Sequence, residues 1–287
     1  MRALLYPPLP PHSRNAMNDA SGGSFLGAIF AARRIPENRK QPPIRELRER
    51  ARTAAPVRDF TAALRDGSGI IAEIKRASPS RGDIAADIDV AAQAADYAAG
   101  GASAISVLTE PEHFRGSPED LILARASCPL PVLRKDFLCC EADIYESRSW
   151  GADAVLLIVA GLDDAELAAL HGLALELGMS VLVEIHDQAE LERALDIDGL
   201  ALLGVNSRNL HTLEVSLDTA CELLPQVPGS VLAIAESGIA GAGDITRLHE
   251  AGAGGYLIGE TLMRTADPAA ALGALAGAAR TTRSERA

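Results

Sequence analysis

Residues 69–82 read Gly-Ile-Ile-Ala-Glu-Ile-Lys-Arg-Ala-Ser-Pro-Ser-Arg-Gly. The segment begins as a short apolar strand and ends in a turn rich in Ser, Pro and Gly. Glu73 and Lys75 are two apart, so on a strand they share a face. A carboxylate and an ammonium are costly as filler at the tip of a buried strand. Beneath a charged ligand they make sense. The chain has only three lysines, Lys40, Lys75 and Lys135, and draws nearly all its other positive charge from Arg. Two of the three close predicted strands. That placement points to chemistry that a compact, tunable ammonium performs and a guanidinium does not.

Outward from this stretch the chain repeats one unit. Apolar runs predict strands at 69–75, 103–108, 131–135, 153–158, 180–184, 201–206, 231–236 and 255–258. Ala- and Leu-rich helices are expected near 87–99, 117–126, 141–149, 163–177, 187–196, 216–224, 243–251 and 267–279. Ser117-Pro118-Glu119-Asp120 is a helix start, and Asp163…Glu166 and Asp187…Glu190 repeat its spacing. The strands are apolar for most of their length, as where helices cover a sheet. Eight such units predict a closed (β/α)₈ barrel. A doubly wound open sheet is the alternative, but the first turn lacks the Gly-x-Gly-x-x-Gly of a dinucleotide site.

The flanks differ from the repeat. Residues 1–21 carry no periodicity and are expected as a disordered tail. Residues 22–66 form an N-terminal extension: Phe25, Leu26, Ile29 and Phe30 have helical spacing, and a second helix follows Pro42-Pro43. The extension holds ten Arg or Lys against five acids, in a chain of net charge −12. It is expected to cap the barrel, with a phosphate-attracting rim as the sharper alternative. The barrel is assigned to 67–280 and a short tail to 281–287.

Composition narrows the partners. At 48% hydrophobic and 3% aromatic residues, the core must be Ala, Leu, Ile and Val. The acidic balance argues against a nucleic-acid partner. Cys128, Cys139, Cys140 and Cys221 lack metal-ligand spacing and fit a reduced, cytoplasmic chain. No apolar run reaches membrane-spanning length, and the prolines after Tyr6 argue against a signal peptide.

In a barrel of this kind the active site lies at the C-terminal strand ends. Those ends carry Glu73 and Lys75, Arg134-Lys135-Asp136, Glu184, Asn206-Ser207-Arg208, Glu236-Ser237-Gly238 and Gly259-Glu260. The opposite ends show no comparable set. Ser237-Gly238 and Gly259-Glu260 follow the seventh and eighth strands, the usual place of a phosphate cradle, and a short helix at 260–263 adds its N-terminus. Lysines and glutamates around one cavity are acid–base equipment. Arg134 should point away from the cavity and leave Lys135 facing it, with a pKa lowered by burial and nearby positive charge. His186 is read as loop packing beside the helix cap Asp187, with a catalytic role as its alternative, and His113 as a loop residue, with reach to the mouth as its alternative. Neither a metal nor a cofactor is expected. Schiff-base chemistry at Lys75 or Lys135 stays open on these residues alone.

At this point the chain closely resembles the indole-3-glycerol-phosphate synthase family of tryptophan biosynthesis. The stretches that carry the resemblance are Ile71–Ser80, Leu133-Arg134-Lys135-Asp136-Phe137, Val181–His186, Gly204–Leu210, Ala235–Ile239 and Leu257–Met263, with Ser106–Thr109 and Phe114–Ser117 beside them. The resemblance implies a phosphate-binding barrel with a helical extension over its mouth. It implies ring closure, decarboxylation and dehydration of 1-(2-carboxyphenylamino)-1-deoxyribulose 5-phosphate, without a cofactor. Lys135 would be the general acid and Glu184 the acid–base carboxylate of dehydration. Lys75 would bind an anionic group, with a secondary proton role, and Glu73 and Asn206 would complete the catalytic set. Ser78, Phe114, Arg208 and Glu236 would contact substrate. Ser237, Gly238, Gly259 and Glu260 would join Lys75 around the phosphate.

The chain departs from the family pattern at Ser207, Leu213 and Cys139-Cys140, none of which removes an expected acid or base. An isomerase or Schiff-base lyase on the same barrel is the rival enzyme, and a non-catalytic barrel binding a phosphorylated ligand the non-enzymatic rival. Residues 269–287 leave no room for a second barrel. A monomer, in weak association with other enzymes of the pathway, is the remaining expectation.

Overall fold

The protein was analysed as a computed structural model, which describes residues 25–35, 41–79, 82–209 and 212–284. The tail expected at residues 1–21 lies outside these, as do Lys40, Ser80 and Arg81.

All eight expected strands form within about a residue of their predicted bounds. Strand β1 (Ile70–Ile74) leads into a two-residue antiparallel ribbon, β2 (Ala77–Ser78) and β3 (Gly82–Asp83). The chain continues through β4 (Ala104–Leu108), β5 (Val132–Lys135), β6 (Ala154–Ile158), β7 (Ser180–Ile185), β8 (Leu202–Asn206), β9 (Leu232–Glu236) and β10 (Gly255–Ile258). Strands β1 and β4 to β10 are parallel and closed, with β10 paired back onto β1. Their side chains are buried almost throughout, because helices cover the outside and side chains from opposite strands fill the inside. Three helices, α1 (Phe25–Arg34), α2 (Ile44–Thr53) and α3 (Phe60–Asp66), precede the barrel. The outer layer comprises α4 (Val90–Ala99), α5 (Pro118–Ser127), α6 (Glu141–Ser149), α7 (Asp164–Glu176), α8 (Gln188–Leu195), α9 (Leu217–Leu223), α10 (Ala242–Glu250), the short α11 (Glu260–Met263) and α12 (Pro268–Ser284). Helix α12 runs past its expected end near 279. The expected caps form: Ser117 accepts from Asp120 N–H, and Asp163 and Glu166 make a reciprocal capping box. No described helix is long and apolar enough to cross a membrane.

The extension follows the barrel from one end to the other. Helix α1 lies at the mouth, where Phe30 packs so closely on Gly161 that a Cβ there would fall 2.1 Å from its ring. Helix α2 packs on α6. Helix α3, which sequence periodicity alone did not separate, buries Phe60 and Leu64 beneath the barrel and is capped by Asp59. Several arginines of the extension pair with the acidic barrel, while Arg50 and Arg52 pair within their own helix with Glu46 and Glu49. Arg33 pairs with Asp136, Arg34 with Glu166 and Arg48 with Glu141. Arg58 donates to the carbonyls of Cys128 and Leu130. Among the described residues no arginine of the extension lines the mouth cavity.

The polar residues at the strand N-termini anchor the extension. Thr61 and Ser180 share a hydroxyl hydrogen bond of 3.1 Å. Asp153, fully buried, accepts from Arg58 N–H at 2.8 Å, Arg125 Nη2 at 3.0 Å and Val132 N–H at 2.9 Å. Asp153→Ala removes the carboxylate partner of the part-buried Arg125 guanidinium and leaves two backbone donors without their acceptor. Its expected cost is about 3–5 kcal/mol, read as a lower urea midpoint, whereas a change below about 1 kcal/mol would show that the anchor is not structural.

Candidate active site

The C-terminal strand ends open into a cavity of about 620 Å³. Every residue selected from the sequence lines it: Glu73, Lys75, Ser78, Phe114, Lys135, Glu184, Asn206, Arg208, Glu236, Ser237, Gly238, Gly259 and Glu260. Strand register brings them together. Lys135 lies beside Leu108, Glu184 beside Ile158, and Glu236 between Asn206 and Leu257.

Lys135 stands at the centre. Its Nζ is 2.6 Å from Glu184 Oε2 and 3.3 Å from Glu236 Oε2. Burial opposes its charge, but Glu184, Glu236 and Glu73 together outweigh that and raise its pKa. The expected lowering is therefore overturned. The sequence placed Lys135 on the cavity face correctly but did not reveal that two carboxylates from other strands close on it. Arg134 does point outward, to Asp136, Glu146, Ser147 and the face of Trp150.

The two carboxylates around Lys135 are not equivalent. Burial works against ionising Glu184, yet Lys135 and His186 hold its pKa well below the ordinary range. Burial pushes Glu236 up to about 8, only partly offset by Lys135. Its Oε1 has no hydrogen-bond partner and lies where a Cβ on Gly204 would be, at 2.1 Å. Gly204 thus makes the space that Glu236 fills, a role the sequence pattern did not signal.

Glu73 Oε1 and Lys75 Nζ pair at 2.7 Å, as their spacing predicts. They lie against the last turn of the barrel: a Cβ on Gly259 would fall 2.3 Å from that oxygen and 3.1 Å from that nitrogen. Across the turn, Ser237 and Gly238 both have left-handed backbones, with φ of 66° and 82°. For Ser this conformation is uncommon and marks a strained site. The expected short helix forms at Glu260–Met263.

The opposite wall is apolar, built from Phe25 and Leu26 of α1 with Leu108, Phe114, Phe137 and Leu156. Phe137 links Phe114 to Phe30 through ring contacts. Arg208 donates to the Leu213 carbonyl at 3.0 Å, and Asn206 Oδ1 accepts the Arg208 N–H at 3.1 Å. Of the departures from the family pattern, only Leu213 lines the cavity. Ser207 is buried elsewhere, and the N–H groups of Cys139 and Cys140 cap onto Asp143.

Two groups were underread. Asp136 joins Arg33, Arg134 and Thr109, and so fixes the extension beside Lys135. His186 touches Glu184 rather than packing only in its loop. Its neighbour Asp187 does cap α8, the signal the sequence reading followed. His113 remains in its loop, edge-on to Phe25. Glu110, Glu112 and His113 lie close enough together to suggest a metal, but the Glu110 carboxylate already accepts the N–H groups of Glu112, His113 and Phe114.

Comparison with known proteins agrees with this geometry. The fold is shared with a thiamine phosphate pyrophosphorylase from Pyrococcus furiosus, at a TM-score of 0.56 and 16% identity over 76% of this chain and 98% of that one. Sequence relatives are nearer. The indole-3-glycerol phosphate synthase of Laribacter hongkongensis is 51% identical over 240 residues, 82% of this chain and 91% of the relative. That of a Polaromonas species is 48% identical over 260 residues, 88% of this chain and 98% of the relative. The sequence profile of indole-3-glycerol phosphate synthase matches residues 28–275. With nearly the whole barrel and most of its extension matched, the chain belongs to the indole-3-glycerol phosphate synthase family.

Proposed function

We propose that Lys135, Glu184 and Glu236 form the acid–base centre of this enzyme, with Lys75 and the turns after β9 and β10 holding the anionic groups of the substrate. The enzyme is a carbon–carbon lyase of tryptophan biosynthesis. It converts 1-(2-carboxyphenylamino)-1-deoxyribulose 5-phosphate to indole-3-glycerol phosphate, carbon dioxide and water. The observation that carries the assignment of roles is the Lys135 ammonium, held at the cavity floor 2.6 Å and 3.3 Å from two glutamates.

The ring carbon that bears the carboxylate attacks the ketone carbon, and the ketone oxygen takes a proton from Lys135. That oxygen becomes alkoxide-like as the bond forms. An alkoxide is more basic than an amine, so a fully charged ammonium is a competent donor without a lowered pKa. Loss of carbon dioxide then returns the electron pair to the ring. In dehydration the new hydroxyl leaves as water with a proton from Lys75, while ionised Glu184 removes a proton from the ring system. Glu236, neutral to about pH 8, hydrogen-bonds the substrate hydroxyls together with Asn206 and Glu73. The aromatic ring lies on the wall of Phe114 and Phe137 near Ser78 and Arg208. The phosphate rests on the backbone N–H groups of Ser237, Gly238, Gly259 and Glu260. Fixing a flexible ribulose chain across this cavity supplies much of the rate. A Schiff-base role fits Lys135 poorly, since imine formation needs a neutral amine and the ionised Glu184 at 2.6 Å keeps this one charged.

Three outcomes follow from this assignment. Lys135→Met should fold normally by circular dichroism and lose about 10²–10⁴ in kcat, whereas Lys75→Met should raise KM as well. Near-native turnover in folded Lys135→Met would sink the assignment. In a crystal structure with a substrate analogue, phosphate oxygens should lie about 2.7–3.2 Å from the cradle nitrogens, and a phosphate bound elsewhere refutes the cradle.

The third outcome is a pH dependence of stability. The folded Glu236 carboxyl keeps its proton to about pH 8, while the unfolded one releases it near 4.5. The folded state holds more protons in between, so stability falls as pH rises through that window. Glu236→Gln should flatten that fall in thermal midpoints recorded from about pH 5 to 8. An unchanged slope would show that Glu236 is ionised in the folded state.

A further inference from the structure

Two glutamates flank Lys135, and something must decide which of them carries the negative charge. Their distances to the ammonium differ modestly, and both are buried. What differs is the other oxygen of each. Glu236 Oε1 has no partner. Glu184 Oε1 faces His186 Nε2 at 3.2 Å.

His186 follows β7 directly and does not line the cavity. Its ring is fixed from both sides. Nδ1 is 3.1 Å from Glu190 Oε2, and that oxygen also accepts the His186 backbone N–H at 2.9 Å. Glu190 is held in turn by the start of α8, where its own N–H donates to the capping Asp187. The imidazole therefore bridges two carboxylates, one from its own strand and one from α8. A neutral imidazole has one N–H and would turn a lone pair toward the second carboxylate. The Nδ1–Glu190 contact is a hydrogen bond, whereas Nε2 stands at ion-pair distance from Glu184 without one, so the doubly protonated ring is the form that faces both carboxylates with positive charge rather than a lone pair. Among the described residues no other carboxylate lies within ion-pair distance of the ring. The one cation of α8, Arg193, is turned to Asp164 and to the carbonyls of Val159 and Leu162. Beyond Glu184 stand Lys135 and then Glu236.

We infer that His186, held as an imidazolium between Glu184 and Glu190, is a positioning residue that assigns the charge to Glu184 and leaves the proton on Glu236. This rests on the acid–base roles proposed above and deepens them. With its Oε1 at ion-pair distance from the ring, Glu184 keeps Oε2 on Lys135 and has a cation on each side. Glu236 shares one of those cations and has nothing behind it. Desolvation then acts on the two carboxylates unequally, which separates a base from an acid within one buried cluster. The electrostatics agree: burial opposes charge on the ring, but Glu184 and Glu190 outweigh it and push the His186 pKa up to about 9.

The test has a direct arm and a kinetic arm. ¹⁵N NMR of the histidine rings in the whole ligand-free enzyme should show His186 protonated at both nitrogens at neutral pH, and Glu190→Gln should lower its titration midpoint. A single neutral tautomer at neutral pH overturns the inference. In kinetics, His186→Leu should lower kcat by about tenfold to a hundredfold, less than loss of the acid–base group itself, with KM nearly unchanged. Because Glu184 then lacks its second cation, the acidic limb of the kcat profile should move up by about one to three pH units. A merely structural histidine would leave that limb in place. Glu184→Gln, assayed alongside, separates the two claims. Near-native turnover there would remove the role proposed for Glu184, whatever NMR finds at His186. An inactive Glu184→Gln beside a folded His186→Leu with native kcat and an unmoved limb would overturn the positioning role alone. Should the leucine variant fail to fold, Glu190→Gln and the NMR titration decide.

Discussion

Charge buried at the ends of parallel strands is the constraint on which this molecule depends. A lone carboxylate or ammonium at such a place is prohibitively unfavourable. Lys135, Glu184, Glu73 and Lys75 are tolerable together because each stands beside an opposite charge, and Glu236 beside them keeps its proton. That requirement reaches into the barrel. A slip of one residue in any strand would turn its terminal charge into the helix layer and leave its partner unmatched. The apolar body of each strand fixes the register, and the register delivers the charges to one cluster.

The same logic governs the extension. An acidic barrel with a basic segment in front of it invites an explanation in terms of anionic substrate. Arg33, Arg34, Arg48 and Arg58 go to carboxylates and carbonyls of the barrel's own surface. The extension's contribution to the cavity is apolar, from Phe25 and Leu26. Positive charge docks the segment, and hydrophobic side chains meet whatever the cavity holds.

Much of this was legible from residues alone. Most strands are short apolar runs that stop at a polar or charged residue, and several flanking helices open with a recognisable cap, so barrel and site emerged together. Helix α3 was missed because its seven residues are too few to show a period and its buried Phe60 and Leu64 look ordinary in a basic linker. Asp153 and Ser180 looked like strand-start polarity, since nothing local says that residues near 60 lie beneath them. The environment of Lys135 was misjudged for a related reason. Alternation along one strand gives the direction of a side chain, but the sign of its neighbours comes from strands far along the chain. At His186 a correct local signal, the Asp187 cap, concealed a second contact that only the closed barrel creates.

Two of the site's essential features are absences. Gly204 and Gly259 contribute no side chain, and the volume they leave is occupied by the Glu236 and Glu73 carboxylates. Glycine and glutamate are therefore sterically linked at each place. Any larger residue at 204 collides with an acid, while a shortened residue at 236 leaves a hole that 204 is then free to fill. Each change alone is harmful, and the two together are milder than their sum, because the residues compete for one volume. A lineage drifting toward a different substrate would meet these positions as a ridge, crossed by paired replacements and seldom by single ones.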